Sequence, residues 1–220
     1  MRKTMQGAIR RNLGYTIDQT ILIVAVIAVL ITLIIASVGW DLLSRAGGAK
    51  LASYFKQIED ANAQFYAKMG VWPHDAMNQA GIAARQNPAG YILVLKDRDA
   101  TFTATGSGQR FFDRFQDYLP GFSVDNATTP TTVEHSFGNG GDITQAVGGS
   151  TVCPGNSDYL RVTMTGVTIQ EIIEADSNID NDDDSAAAQA GTAGTNGRLR
   201  WTTPANGVAD VSFCANNVGF

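Results

Sequence analysis

In the run DSNIDNDDDS, residues 176–185, Asp176, Asn178, Asp180, Asp182 and Asp184 recur at steps of two. Alternating oxygen donors in a loop suit calcium, which takes about six to eight oxygen ligands. The run is not an EF-hand: Asn181 stands where that loop needs glycine, and Ala187 where it needs glutamate. The competing expectation is a solvated acidic loop leading into the small-residue stretch SAAAQAGTAGTNG. His74 and His135 are the only histidines and lack cysteine or carboxylate neighbours at ligand spacing. No nucleophile elbow, P-loop or Rossmann glycine pattern occurs. GGDITQAVGG (140–149) has glycines at the wrong spacing and no base to meet phosphate, so it reads as a turn-rich connection. The chemistry that can be read is therefore not that of an enzyme.

Charge sets a further limit. Residues 1–14 hold Arg2, Lys3, Arg10 and Arg11 and no acid, so their removal takes the net charge from −5 to −9. So acidic a product offers no electrostatic footprint for direct nucleic acid binding.

The elements that must position these residues begin with RRNLGYTIDQTILIVAVIAVLITLIIASVGW, residues 10–40. Ile21 to Val38 are eighteen residues without a charge, long enough for a transmembrane helix. The apolar core is longer than that of a secretory signal, and no cleavage site lies directly behind it. A plain signal anchor explains the hydrophobicity, but not a glycine at position 14 or a carboxylate at 18. Membrane insertion places Cys153 and Cys214 in an oxidising compartment, where a disulfide is expected over two free thiols.

Beyond Trp40, Leu51, Phe55, Ile58, Phe65 and Met69 form an apolar stripe at helical spacing, with Asn62 in the missing position. No proline occurs from Tyr15 to Trp72, so one helix of roughly 85 Å can form at about 1.5 Å per residue. Gly39 and Gly47-Gly48 are its weak points; with a plain anchor, Gly47-Gly48 would be a linker. Pro73 after Gly70 reads as its stop. Residues 74–90 read as a connecting loop and YILVL (91–95) as a buried strand. Residues 109–119 read as a short helix with Phe111, Phe112, Phe115 and Tyr118 inward. Segments 131–137, 159–164, 198–202 and 208–213 alternate as strands. The expected class is α+β, one antiparallel sheet packed on the outer half of the long helix.

RRNLG followed by YTIDQTILIVAVIAVL resembles the leader and mature start of type IV pilins and pseudopilins. The ending FYAKMGVWP is similar to the close of pilin first helices. YLRVTMTGVTIQEIIEADSNID and RLRWTTPANGVADVSFCANN resemble the disulfide-bounded end of the larger type IVb pilins. The likeness covers the two ends of the chain, about half its length. It implies a leader of residues 1–14, a long helix over 15–72 and a globular head over 73–220. It further implies cutting after Gly14 by a prepilin peptidase and N-methylation of Tyr15. The partners implied are the bacterial inner membrane, the pilus assembly machinery and further copies in a helical surface filament. Family members usually carry glutamate at the fifth mature position, here Gln19; Asp18, one residue earlier, is expected to take the assembly role. A type II secretion pseudopilin and a single-pass anchored extracytoplasmic binding module are the alternatives.

Overall fold

The protein is described by a computed structural model covering residues 17–80, 88–96, 116–125, 132–148, 153–155, 157–181 and 184–219. Helix α1 runs Ile17–Met69, with Asp18 in its first turn and Lys68 in its last, both complementing the helix dipole. It ends at Gly70, whose φ of +74° a side chain would resist and whose N–H donates to Tyr66 O at 2.7 Å. The chain divides into two compact units, one ending at Leu43 and the other beginning at Ser44.

In the first unit, Ile17–Gly39 is long and apolar enough to cross a membrane, and none of it is buried. Its few hydroxyls are satisfied within the helix: Thr32 Oγ1 donates to Ala28 O at 2.8 Å and Ser37 Oγ to Ile34 O at 2.9 Å. Such back-bonding removes much of the cost of a hydroxyl in lipid.

In the second unit, β1 (Ser123–Val124), β2 (Val133–His135), β3 (Gly141–Gly148), β4 (Tyr159–Thr168), β5 (Leu199–Trp201) and β6 (Val208–Asn217) form one antiparallel sheet among the described residues. Its order is β1-β2-β3-β4-β6-β5. Helices α2 (Pro73–Ala80), α3 (Pro88–Leu93), α4 (Ile169–Ile179) and α5 (Ser185–Gln189) complete the unit. The α1 stripe is the core: Leu51, Phe55, Ile58 and Phe65 are fully buried, joined by Val162 and Met164 of β4 and by Val211 and Phe213 of β6. The Phe55 and Phe213 rings stand 5.1 Å apart. Asn62, in the stripe's polar position, accepts from Gln145 Nε2 at 3.0 Å, both side chains being fully buried. The architecture is α+β, a helix packed on an antiparallel sheet.

Three expectations are corrected. The run YILVL is not a strand: Pro88 opens α3, Leu93 closes it, and Val94 and Leu95 follow in a turn with Leu95 N–H donating to Ile92 O at 3.1 Å. A short, continuously apolar run has no period to separate strand from helix, and all four residues Ile92–Leu95 are fully buried either way. The expected loop 74–90 holds α2 and the start of α3, because Pro73 is the first residue of α2 rather than only a stop. GGDITQAVGG is mostly strand β3, paired on both sides, with Ile143 and Gln145 buried on one face and Val147, farther along that face, exposed. A glutamine in a core position and glycines at both ends hid its alternation. Of the expected helix 109–119, residues 109–115 lie outside the described residues; 116–119 are irregular, held by Lys96 Nζ to Asp117 at 3.0 Å and to Leu119 O at 2.9 Å.

Candidate functional site

Gly14 and Tyr15 lie outside the described residues. Asp18 and Gln19 open α1 and are exposed, at the head of an apolar stretch whose Ile17, Leu22, Leu33 and Ile35 are also exposed. A carboxylate at that place favours the positive end of the helix dipole. The adjoining run is an apolar surface that no other part of the described residues buries.

The other expected site lies at the C-terminal end of the sheet. Cys153 and Cys214 form a disulfide with Cα atoms 5.8 Å apart, and both are almost fully buried. The bond closes 61 residues and ties the segment before β4 to β6; in the chain-entropy model such a loop contributes about 4 kcal/mol. Beside it, Arg198 donates through Nε to Cys214 O at 2.9 Å and through Nη2 to Ala215 O at 2.7 Å and to the Glu59 carboxylate. Its guanidinium lies 4.7 Å over the Phe213 ring. One arginine thereby joins β6, the disulfide and the second half of α1. Sequence reasoning passed over it because an arginine at the start of a short strand segment looks like a solvated charge.

The acidic run is divided by secondary structure. Asp176 and Asn178 sit in α4 and Asp180 caps its end, so steps of two place successive side chains about 200° apart around the helix. Asp176 is buried, with Oδ2 accepting from the Asp184 N–H at 3.5 Å. Asp180 Oδ2 accepts from the Arg198 and Leu199 N–H groups, each at 2.7 Å. Asp184 is the residue before α5 and accepts from Asn196 Nδ2 at 3.0 Å. Asn178 turns outward, donating to Glu174 O at 2.6 Å, and Asp182 lies outside the described residues. Asp176 thus meets the backbone of Asp184, whereas Asp180 and Asp184 each accept from other groups, and Asn178 does not join them. Among the described residues, no three His, Cys, Asp or Glu side chains are grouped to hold a metal.

Glu171 forms a second junction. Its Oε2 accepts from the Thr168 N–H at 3.3 Å while its own N–H donates to Thr168 Oγ1 at 3.5 Å, a capping box at the start of α4, and Oε2 also accepts from Gly138 N–H at 3.1 Å in the β2–β3 turn. A Cβ at Gly47 would stand 2.9 Å from the same side chain. His135 lies under that turn, nearly buried, with Nδ1 accepting the Phe137 N–H at 3.3 Å. Burial pushes its pKa down, against the raising influence of Thr165, Glu171 and Asp142. Burial also lowers His74, opposed by the Asp75 carboxylate 3.3 Å away.

A scan against protein-family models finds no match, and searches of the curated proteins and of the solved structures find no significantly similar chain.

Proposed function

We propose that the chain is a structural subunit of a type IV pilus-like surface filament, most like the larger type IVb pilins. The observation that carries this is the wholly unburied apolar stretch Ile17–Gly39, which belongs to the same helix whose stripe from Leu51 onward is the core of the sheet unit. Contiguous exposed apolar surface of this extent marks contact with a membrane or with protein. Lipid of the bacterial inner membrane covers it before assembly, and other copies cover it in the filament. The role is mechanical: the head forms the outside of the filament, available for adhesion, aggregation, motility or phage attachment. Cys153–Cys214 anchors the last strand against shear.

Cleavage after Gly14 and methylation of Tyr15 are part of the proposal. Terminal sequencing and intact mass of sheared surface material, with electron microscopy of the same sample, test it. Filaments whose subunit begins at methylated Tyr15 are expected, with Gly14→Val accumulating uncut precursor in the membrane. A membrane-bound monomer starting at Met1 would overturn it in favour of an anchored binding module. Correct processing without surface filaments would favour the secretion pseudopilin.

A further inference from the structure

A cavity of about 200 Å³ opens between the second half of α1, the end of α4 and the β5–β6 edge. Ala52, Ile179 and Phe213 give it an apolar floor, and Ser53, Lys56 and Arg198 bring hydrogen-bond donors to it. The donors are only partly used. Arg198 spends Nε and Nη2 on Cys214 O, Ala215 O and Glu59, and its Nη1 meets no acceptor among the described residues. Among the described residues Lys56 Nζ donates only to Glu59 Oε2, at 2.8 Å, leaving further N–H bonds. The Ser53 hydroxyl accepts from Gln57 Nε2 at 3.2 Å and keeps its own proton to give.

Two cations therefore share the single carboxylate of Glu59 at this rim, in a chain whose overall charge is −5. Asp180, next to the cavity-lining Ile179, turns its Oδ2 to the Arg198 and Leu199 backbone N–H groups. We infer that this cavity binds a small organic carboxylate: the apolar body on Ala52 and Ile179, the carboxylate between Arg198 Nη1 and Lys56 Nζ. Each oxygen of a carboxylate can take a charge-assisted hydrogen bond, one from each cation, and the bound anion supplements the single carboxylate that the two share. The volume is below that of drug-sized sites, which limits the ligand to about the size of benzoate. This inference stands apart from the filament proposal, since the cavity lies wholly within the sheet unit.

The experiment is an NMR titration of the full chain in neutral detergent with benzoate and, separately, with benzyl alcohol of the same shape and no charge. Benzoate should give saturable shifts at Ala52 and Ile179, weakened by salt, and benzyl alcohol should bind at least about tenfold more weakly. Lys56→Met, an exposed position outside the core, should weaken benzoate by about tenfold, and Lys56→Arg should restore it. Unsaturable shifts, equal response to the alcohol, or an unchanged affinity in Lys56→Met would each overturn the site.

Discussion

Gly48 of α1 and Glu174 of α4 meet so closely that a Cβ on the glycine would stand 2.3 Å from the Cβ of the glutamate. The same atom would be 2.9 Å from Glu171 O and 3.1 Å from the Ala175 amide nitrogen, backbone groups that cannot swing aside. Gly47-Gly48 is thus neither a linker nor a defect in α1. It is the notch that lets α4 cross α1 at backbone distance.

Gly48→Ala gains helix propensity of up to about 1 kcal/mol but must push α4 away, an overpacking cost of about 1–3 kcal/mol or more. The backbone contacts put the outcome at the upper end. A net destabilisation of roughly 2 kcal/mol is expected from chemical denaturation of the sheet unit in detergent. Gly39→Ala, whose Cβ would meet nothing within 4 Å, should leave that transition where it is.

Asn62 and Gln145 hold one another in the core, yet Asn62 Nδ2 and Gln145 Oε1 each lack a partner among the described residues. Asn62→Leu or Gln145→Leu alone strands the other amide and should cost about 1–3 kcal/mol. Replacing both should cost much less than the sum of the single changes, because no polar group is then left buried. A double-mutant cycle measures this, and additive losses would show that the two amides do not depend on each other.

The pH dependence of stability follows from His135 and His74. Burial lowers both pKa values from about 6.5, so the folded state holds fewer protons than the unfolded chain below that pH. Their contribution is fully present above about pH 6.5 and is lost as pH falls toward the folded values. Denaturation midpoints should drop from pH 7.5 to about pH 5. His135→Asn keeps an acceptor for the Phe137 N–H without titrating and should flatten part of that fall. An unchanged slope would assign the whole effect to other groups.

The stripe from Leu51 to Met69 could be read from sequence because one face of α1 is buried over many turns. The strands β2, β4, β5 and β6 showed through the same alternation of inward and outward residues. What stayed hidden depends on contacts distant in sequence. The helix at Pro88–Leu93 is settled by burial on every side, and β3 is a core strand only because Gln145 finds Asn62 on another element. The acidic run looked like a loop because its spacing was read at a period of two, whereas the capping box of Thr168 and Glu171 starts a helix that carries its first residues, Asp176 and Asn178, at 3.6.

The last prediction concerns Asp18, exposed in the first turn of α1 and followed by more than twenty residues without charge. In a membrane the carboxylate sits at the interface and stays solvated. Among packed copies of an apolar helix it is buried, which is costly without a partner. Cutting after Gly14, as the filament proposal requires, creates an amine at Tyr15 that can neutralise it, on the same chain or a neighbour. A subunit docked out of step would bury both charges unpaired, at several kcal/mol, so the pair would also fix axial register. The lesser role is that of a helix-dipole partner alone, worth about 0.3–1 kcal/mol. The two differ in outcome. Asp18→Asn should leave processing and membrane insertion nearly intact while sharply reducing filament yield, and Gln19→Ala should matter less. Wild-type yield from Asp18→Asn, counted in sheared material by electron microscopy, would leave the carboxylate only its place at the helix start.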